Sequence, residues 1–246
     1  MSRLFSGSND RVYCEDVVGF PNSDAHLITM ACWIKLTDNV SSDMNVMGYS
    51  PTDDDSEGFN LILRSAPNRV GLLLRDSGGS SHATSTATLV VGNWYHACVV
   101  NAATNSRFAY TNGASKGSNT STKTVNGAAS IYFGTSGGNT RYLSNTYIAQ
   151  PAVWDTALSE NEILMLAKGL SPLKVKPTSL CFYAPYFGRD TSDIDIINGN
   201  ILTILNSPES STDEPPLLHL RKRNFSYKKT AAGESYTSSK FMLLGI

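Results

Sequence analysis

LITMACWIKL, residues Leu27 to Leu36, decides the fold. Ile28, Met30, Cys32, Ile34 and Leu36 fall on one face, and Thr29, Ala31, Trp33 and Lys35 on the other. That period of two marks a β-strand with one face in a core, because successive side chains of extended backbone point to opposite sides. Similar short runs follow in FNLILR (Phe59 to Arg64), VGLLLR (Val70 to Arg75) and NWYHACVV (Asn93 to Val100). Later come SIYFG, YIAQPAVW, SLCFYAPYFG, and the pair IDII and ILTIL around Asn198-Gly199, read as two strands joined by a turn. RFAYTNG ends in Asn112-Gly113, a hairpin signal because both central positions of a tight turn need positive φ. Pro151 cannot donate to a ladder, so its strand is expected at an edge or bulged there.

Many short strands separated by Gly, Asn, Ser and Asp clusters predict an all-β sandwich or barrel. The small, polar stretches Ser77 to Thr88 and Ala114 to Ala128 are expected as loops or exposed strands. One helix stands out. Ser159 and Glu162 have capping-box spacing, Leu158 and Ile163 that of a hydrophobic staple, and Gly169 and Pro172 supply the stop. It is expected to plug one end of the sandwich.

At 246 residues with a formal net charge of -1, the chain can build one large β domain and is not designed to coat nucleic acid. MSRLFSGSNDRV lacks the apolar stretch of a signal peptide, and no segment approaches a membrane span, so folding in a cytoplasm is expected. Cys14, Cys32, Cys98 and Cys181 have no CxxC spacing and read as free thiols without chemistry.

After Asn206 the composition changes. SPESSTDEPP (Ser207 to Pro216) reads as an extended polar spacer with no regular element. It leads to RKRNFSYKKTAAGESYTSSKFMLLGI, so residues 1-206 are expected as the body and 207-246 as an extended C-terminal arm. The arm's basic residues Arg221, Lys222 and Arg223 precede the apolar anchors Phe225, Tyr227, Phe241, Leu243 and Leu244. Such anchors suit docking better than a solvated tail, and docking on a neighbouring subunit, in a homo-oligomer or on another protein, ahead of folding back on the chain's own body. Phosphate contact is a third reading, and the apolar end fits a protein surface better.

The order of the pieces resembles the concanavalin A-like, laminin G-like jelly-roll family. FSGSNDRV looks like its opening F-x-G-x-x-D-x-V strand and MACWIKL like its Trp-bearing strand. GNWYHACVV looks like its W-x-H-x-A strand, and PAVWDTALSENEILMLAKGLSP like its closing strand and helix. The resemblance implies two antiparallel sheets packed face to face, one concave, with carbohydrate bound there or at a loop rim and often calcium. Where the family places an acidic pair before the closing strand, this chain has Ala149 and Gln150, and Ala149 offers calcium no side-chain oxygen. No metal, cofactor or catalytic residue is therefore assigned.

The acidic knot Asp53, Asp54, Asp55 and Glu57 reads as a solvated turn; Pro51, Ser56 and Gly58 keep it off the strand face on which related glucanases mount their carboxylates. Tyr132, Tyr142 and Tyr147, with Asn139 and Asn145 nearby, are the candidates for stacking on sugar rings and bonding their hydroxyls. Short chains of this family with a terminal arm look like structural proteins of tailed bacteriophages. The resemblance implies a virion protein assembled in the host cytoplasm, first of all a capsid decoration or cement protein held to other virion proteins by its arm. The alternatives are a tail-fibre or spike adhesin that binds host glycans and, last, a glycan hydrolase.

Overall fold

The computed structural model describes residues 1–218, apart from 8, 22–26, 51–55, 125, 126, 128, 139, 186 and 189–192. Two antiparallel sheets stack face to face. Their strands are β1 (Ser2–Phe5), β2 (Arg11–Cys14), β3 (Ile28–Leu36), β4 (Met44–Ser50) and β5 (Gly58–Arg64). Next come β6 (Arg69–Asp76), β7 (Gly79–Thr84), β8 (Trp94–Ala103), β9 (Ser106–Thr111) and β10 (Ser115–Asn119). The chain continues through β11 (Ser130–Phe133), β12 (Thr146–Trp154), helix α1 (Glu160–Ala167), β13 (Leu180–Tyr183), β14 (Thr203–Leu205) and β15 (Glu209–Ser211). One sheet runs β10-β9-β8-β3-β12-β1-β15, with β13 also paired to β12; the other runs β14-β2-β11-β4-β5-β6-β7.

The alternation read in LITMACWIKL is the reason the layers meet. Ile28, Met30, Ile34 and Leu36 join Leu61, Leu72 and Phe133 of the facing sheet in the central core. Each fully buried side chain of this size contributes about 1.5–3 kcal/mol. Ala31 on the opposite face joins a second apolar cluster with Cys98, Trp154, Ile163 and Leu166, and that cluster lies under α1. The helix therefore covers a sheet face and does not plug an end. Its capping box is complete: the Glu162 backbone N–H donates to the Ser159 hydroxyl, and the Ser159 N–H to the Glu162 carboxylate at 2.7 Å.

Pro151 lies in the middle of β12, not on an edge strand. There the register to β3 slips between Ala149 and Ala152, and Gln150 has φ 54. The bulge divides one edge of β12, so that β1 pairs before it and β13 after it. Asn112 and Gly113 have φ 52 and 70 and turn β9 into β10. The two small polar stretches each hold a strand, β7 and β10, at the margins of their sheets.

Two further expectations are corrected. IDII and ILTIL are not paired strands; only Ile194 and Ile201 bridge, while β14 pairs with β2. The polar spacer is not free of regular structure, for β15 pairs with β1, opposing Ser2 to Ser211 and Leu4 to Glu209. Arg3 explains this: its guanidinium lies buried against Asp193 at 3.0 Å and donates to the Pro208 carbonyl at 2.6 Å. Residues 212–218 then run on across the sheet, ending where the Leu218 N–H donates to the Gly169 carbonyl at 2.9 Å. No helix of the described residues is long and apolar enough to cross a membrane.

Candidate functional site

The outer faces of the two sheets differ, and the difference locates the site. On the eight-stranded sheet, α1 covers one part and residues 212–218 another. The Asp213 carboxylate accepts from the Trp94 indole at 3.0 Å and pairs with the Lys35 ammonium, which holds its pKa below the usual carboxylate range. The Ser2 hydroxyl donates to the Asp213 carbonyl at 2.7 Å, and Leu217 lies beside Trp33 and His96. Tyr147 belongs to this covered face, with its ring 6.2 Å from Trp94 and 5.5 Å from the Lys35 ammonium.

The seven-stranded sheet turns a different row outward. Val12, Tyr49, Phe59, Leu61, Leu72 and Phe133 point into the core, so their neighbours in each strand face away. The registers place these neighbours in one line. Thr203 stands opposite Tyr13, Tyr13 opposite Tyr132, Tyr132 opposite Gly48, Gly48 opposite Asn60, Asn60 opposite Leu73, and Leu73 opposite His82. Strands spaced about 4.8 Å apart make this row roughly 29 Å long.

Each member is held in place. Tyr13 and Tyr132 stack with ring centroids 6.4 Å apart, and the Arg11 guanidinium sits 5.2 Å from the Tyr13 ring. Gly48 leaves a gap that the Asn60 amide fills; a Cβ there would lie 2.0 Å from the Asn60 Oδ1. Gly71 makes room in the same way for the stem of Arg64, whose Cγ would lie 2.8 Å from an added Cβ. Arg64 pairs with Asp43 at 2.8 Å and approaches the Nδ1 of His82 at 3.1 Å. As donor, Arg64 assigns His82 the neutral tautomer with its proton on Nε2. Burial and then the Arg64 charge push the His82 pKa down, in keeping with that tautomer. Beside the row, Asn45 is buried with its Oδ1 unpartnered, while its amide nitrogen donates to the Thr135 carbonyl.

The four expected sugar-binding residues do not come together. Tyr132 joins the row, Tyr147 lies on the other sheet, and Tyr142 and Asn145 sit in the connection between β11 and β12. Asn145 there is exposed with φ 51 and spends its carbonyl on the Thr37 N–H at 2.7 Å. Asn139, Asp53, Asp54, Asp55 and the arm residues Arg221, Lys222, Arg223, Phe225, Tyr227, Phe241, Leu243 and Leu244 lie outside the described residues. Reading the sequence missed Tyr13, Asn60 and His82, although Asn60 is the one polar residue inside the apolar run FNLIL.

At the family's acidic-pair positions, Ala149 is fully buried. Gln150 donates to the Pro185 carbonyl at 2.7 Å and accepts from the Tyr183 hydroxyl, so its amide serves the bulge. Among the described residues no three His, Cys, Asp or Glu side chains gather as a metal site. Cys32, Cys98 and Cys181 are buried free thiols whose pKa values burial pushes up.

Comparison with solved structures finds the same sandwich. A native heptameric SAP-like pentraxin from Limulus polyphemus is 15% identical with a TM-score of 0.57, over 84% of this chain and 96% of that one. A putative carbohydrate binding protein from Bacteroides ovatus is 18% identical with a TM-score of 0.56, over 85% of this chain and 60% of that one. The binding domain of botulinum neurotoxin serotype G is 13% identical with a TM-score of 0.52, over 67% of this chain and 41% of that one. No curated protein matches the chain. Residues 6–164 match the family model described as the concanavalin A-like lectin/glucanases superfamily, in its laminin G-like form. With the jelly-roll topology and more than half of its length matched, the chain belongs to that superfamily.

Proposed function

We propose that this protein is a non-catalytic carbohydrate-binding module whose platform is the outward row on the seven-stranded sheet. The observation that carries the reading is the half-buried Tyr13 and His82 in one row, set on a packed floor of Tyr132, Asn60 and Leu73, which are 5%, 7% and 1% exposed. The Tyr13 ring covers the C–H surface of a sugar, and the His82 imidazole N–H bonds its hydroxyls. Ligand sites combine these features, an apolar floor with a few fixed polar groups. Among the described residues the row contains no carboxylate, so it lacks the acid and nucleophile pair that glycoside hydrolysis needs.

The test is a glycan array followed by calorimetry on the best hit. Tyr13→Ala removes half of the stack from a half-buried position and is expected to weaken binding by about tenfold or more, on the scale of one lost aromatic contact. Tyr147→Ala, on the other sheet, leaves affinity unchanged. Equal loss in both variants, or no glycan bound at all, overturns the proposal.

A second reading, display on a larger assembly such as a virion shell, draws on the fixed exit of the chain at Leu218, against Gly169. On that reading the C-terminal end of the arm is what reaches a neighbour. Quantifying this chain against the shell protein in purified particles tests that reading. Absence from particles ends it.

A further inference from the structure

A second surface lies away from the sugar platform, around the turn that precedes β14. Asp195 is fully buried and accepts from the backbone N–H groups of Tyr183 and Ile197 at 2.9 Å, from that of Asn198 at 3.0 Å, and from the Asn200 amide at 2.9 Å. Asp193 is buried as well, against Arg3 at 3.0 Å. With both aspartates turned inward, Ile194 and Ile196 face out, and Ile201 stands opposite Ile194. The Asn200 amide accepts from the Val18 N–H at 2.8 Å and donates to the Val18 carbonyl at 3.1 Å, fixing Val18 beside them.

The result is four aliphatic side chains on pinned backbone, exposed at 62% (Val18), 43% (Ile194), 43% (Ile196) and 64% (Ile201). Glu15 and Asp16, three and two positions before Val18, are exposed and make no ion pair with the described residues. The patch is apolar with an acidic rim. Exposed aliphatics gathered on a surface mark an interaction site more often than scattered ones do.

We infer that this acid-rimmed aliphatic patch is the docking site of the chain's own segment 221–229, RKRNFSYKK. The segment is complementary on both counts, since Phe225 and Tyr227 supply apolar anchors, and Arg221, Arg223, Lys228 and Lys229 meet the acidic rim. Position supports it too. Leu218 is tied to Gly169, and the residues next to each end of the span, Leu170 beside Gly169 and Ile197 beside Ile196, pack against the same outer apolar cluster. The seven residues from Leu218 to Phe225 span about 23 Å when extended. A tether of that length gives a weak contact a high effective concentration. Docking of 221–229 leaves Phe241 to Ile246 available for other partners.

The experiment uses the full chain with Phe225 replaced by photoreactive benzoylphenylalanine. Irradiation and peptide mapping are expected to join position 225 to the peptides carrying Val18 or residues 194–201. Ile201→Asp is expected to lower that yield by about tenfold, as loss of one aliphatic anchor and a new carboxylate require. Glu15→Lys, an exposed change that spares the aliphatic patch, lowers it as well, and so does raising the salt. Cross-links that map elsewhere, or a yield indifferent to both substitutions, overturn the inference. Circular dichroism of each variant separates loss of docking from loss of fold.

Discussion

His96 shows how one residue's surroundings become a property of the whole protein. It sits on the outer face of β8, buried at 3% exposure, with its ring 5.4 Å from that of Trp33 and Leu217 beside it. Its Nδ1 has no partner, and burial pushes its pKa down to about 3. An unfolded chain protonates this imidazole below about pH 6.5. The folded chain refuses the proton until about pH 3. Between those values the unfolded state binds more protons, so unfolding free energy falls as pH falls, by up to about 1.4 kcal/mol per pH unit. Above pH 6.5 this contribution is fully present. Urea midpoints at pH 7.5 and 5.0 are expected to differ more in the native chain than in His96→Gln. His82, whose pKa is also lowered, keeps part of the slope in that variant. An unchanged slope would show that His96 is hydrated in the folded protein.

Elements whose signals are local were legible, and those made by distant partners were not. Ser159 and Glu162 lie three residues apart, and the helix begins where they predict. The alternation of β3 needs no partner to be visible. β15, in contrast, is a polar segment with poor strand character that pairs because buried Arg3, more than two hundred residues earlier, donates to the Pro208 carbonyl. The site follows the same rule. Tyr132 was legible as an aromatic in a strand, but its partners Tyr13, Gly48 and Asn60 come from three other strands, and only the registers align them. Closure of the sandwich is another non-local feature. The Ser85 and Thr111 hydroxyls meet at 2.8 Å, and Gly117 of β10 lies so close to β7 that a Cβ would stand 1.7 Å from the Thr84 carbonyl oxygen. That contact is with backbone, which cannot rotate away. Gly117→Ala is therefore expected to destabilise the fold by about 1–3 kcal/mol, the usual range for overpacking. Chemical denaturation measures this directly, and a neutral result would mean that the two sheets separate easily at that margin.

At the scale of the molecule the two outer faces of the sandwich are finished differently. A jelly roll leaves the outside of both sheets to be dealt with, and this chain solves the two sides differently. Its helix and residues 212–218 close over the eight-stranded sheet, where Leu217, Trp33, Trp154 and Leu166 meet. The seven-stranded sheet keeps its polar and aromatic row. This division predicts that the covering segment can be loosened without harm to sugar binding. Asp213→Ala removes the acceptor of the Trp94 indole and the partner of Lys35 together. Hydrogen exchange over residues 212–218 is expected to quicken, and tryptophan emission to shift to the red as Trp94 meets water. The Lys35 pair is partly exposed, which keeps its share of stability small. Affinity for a glycan bound on the Tyr13–Tyr132 row is expected to stay within about twofold, because sites farther apart than 7–10 Å with no shared partner behave independently. If Asp213→Ala abolishes sugar binding while the fold persists, the ligand sits beneath the segment, among Trp94, Tyr147 and Lys35. The assignment of the two faces must then be exchanged.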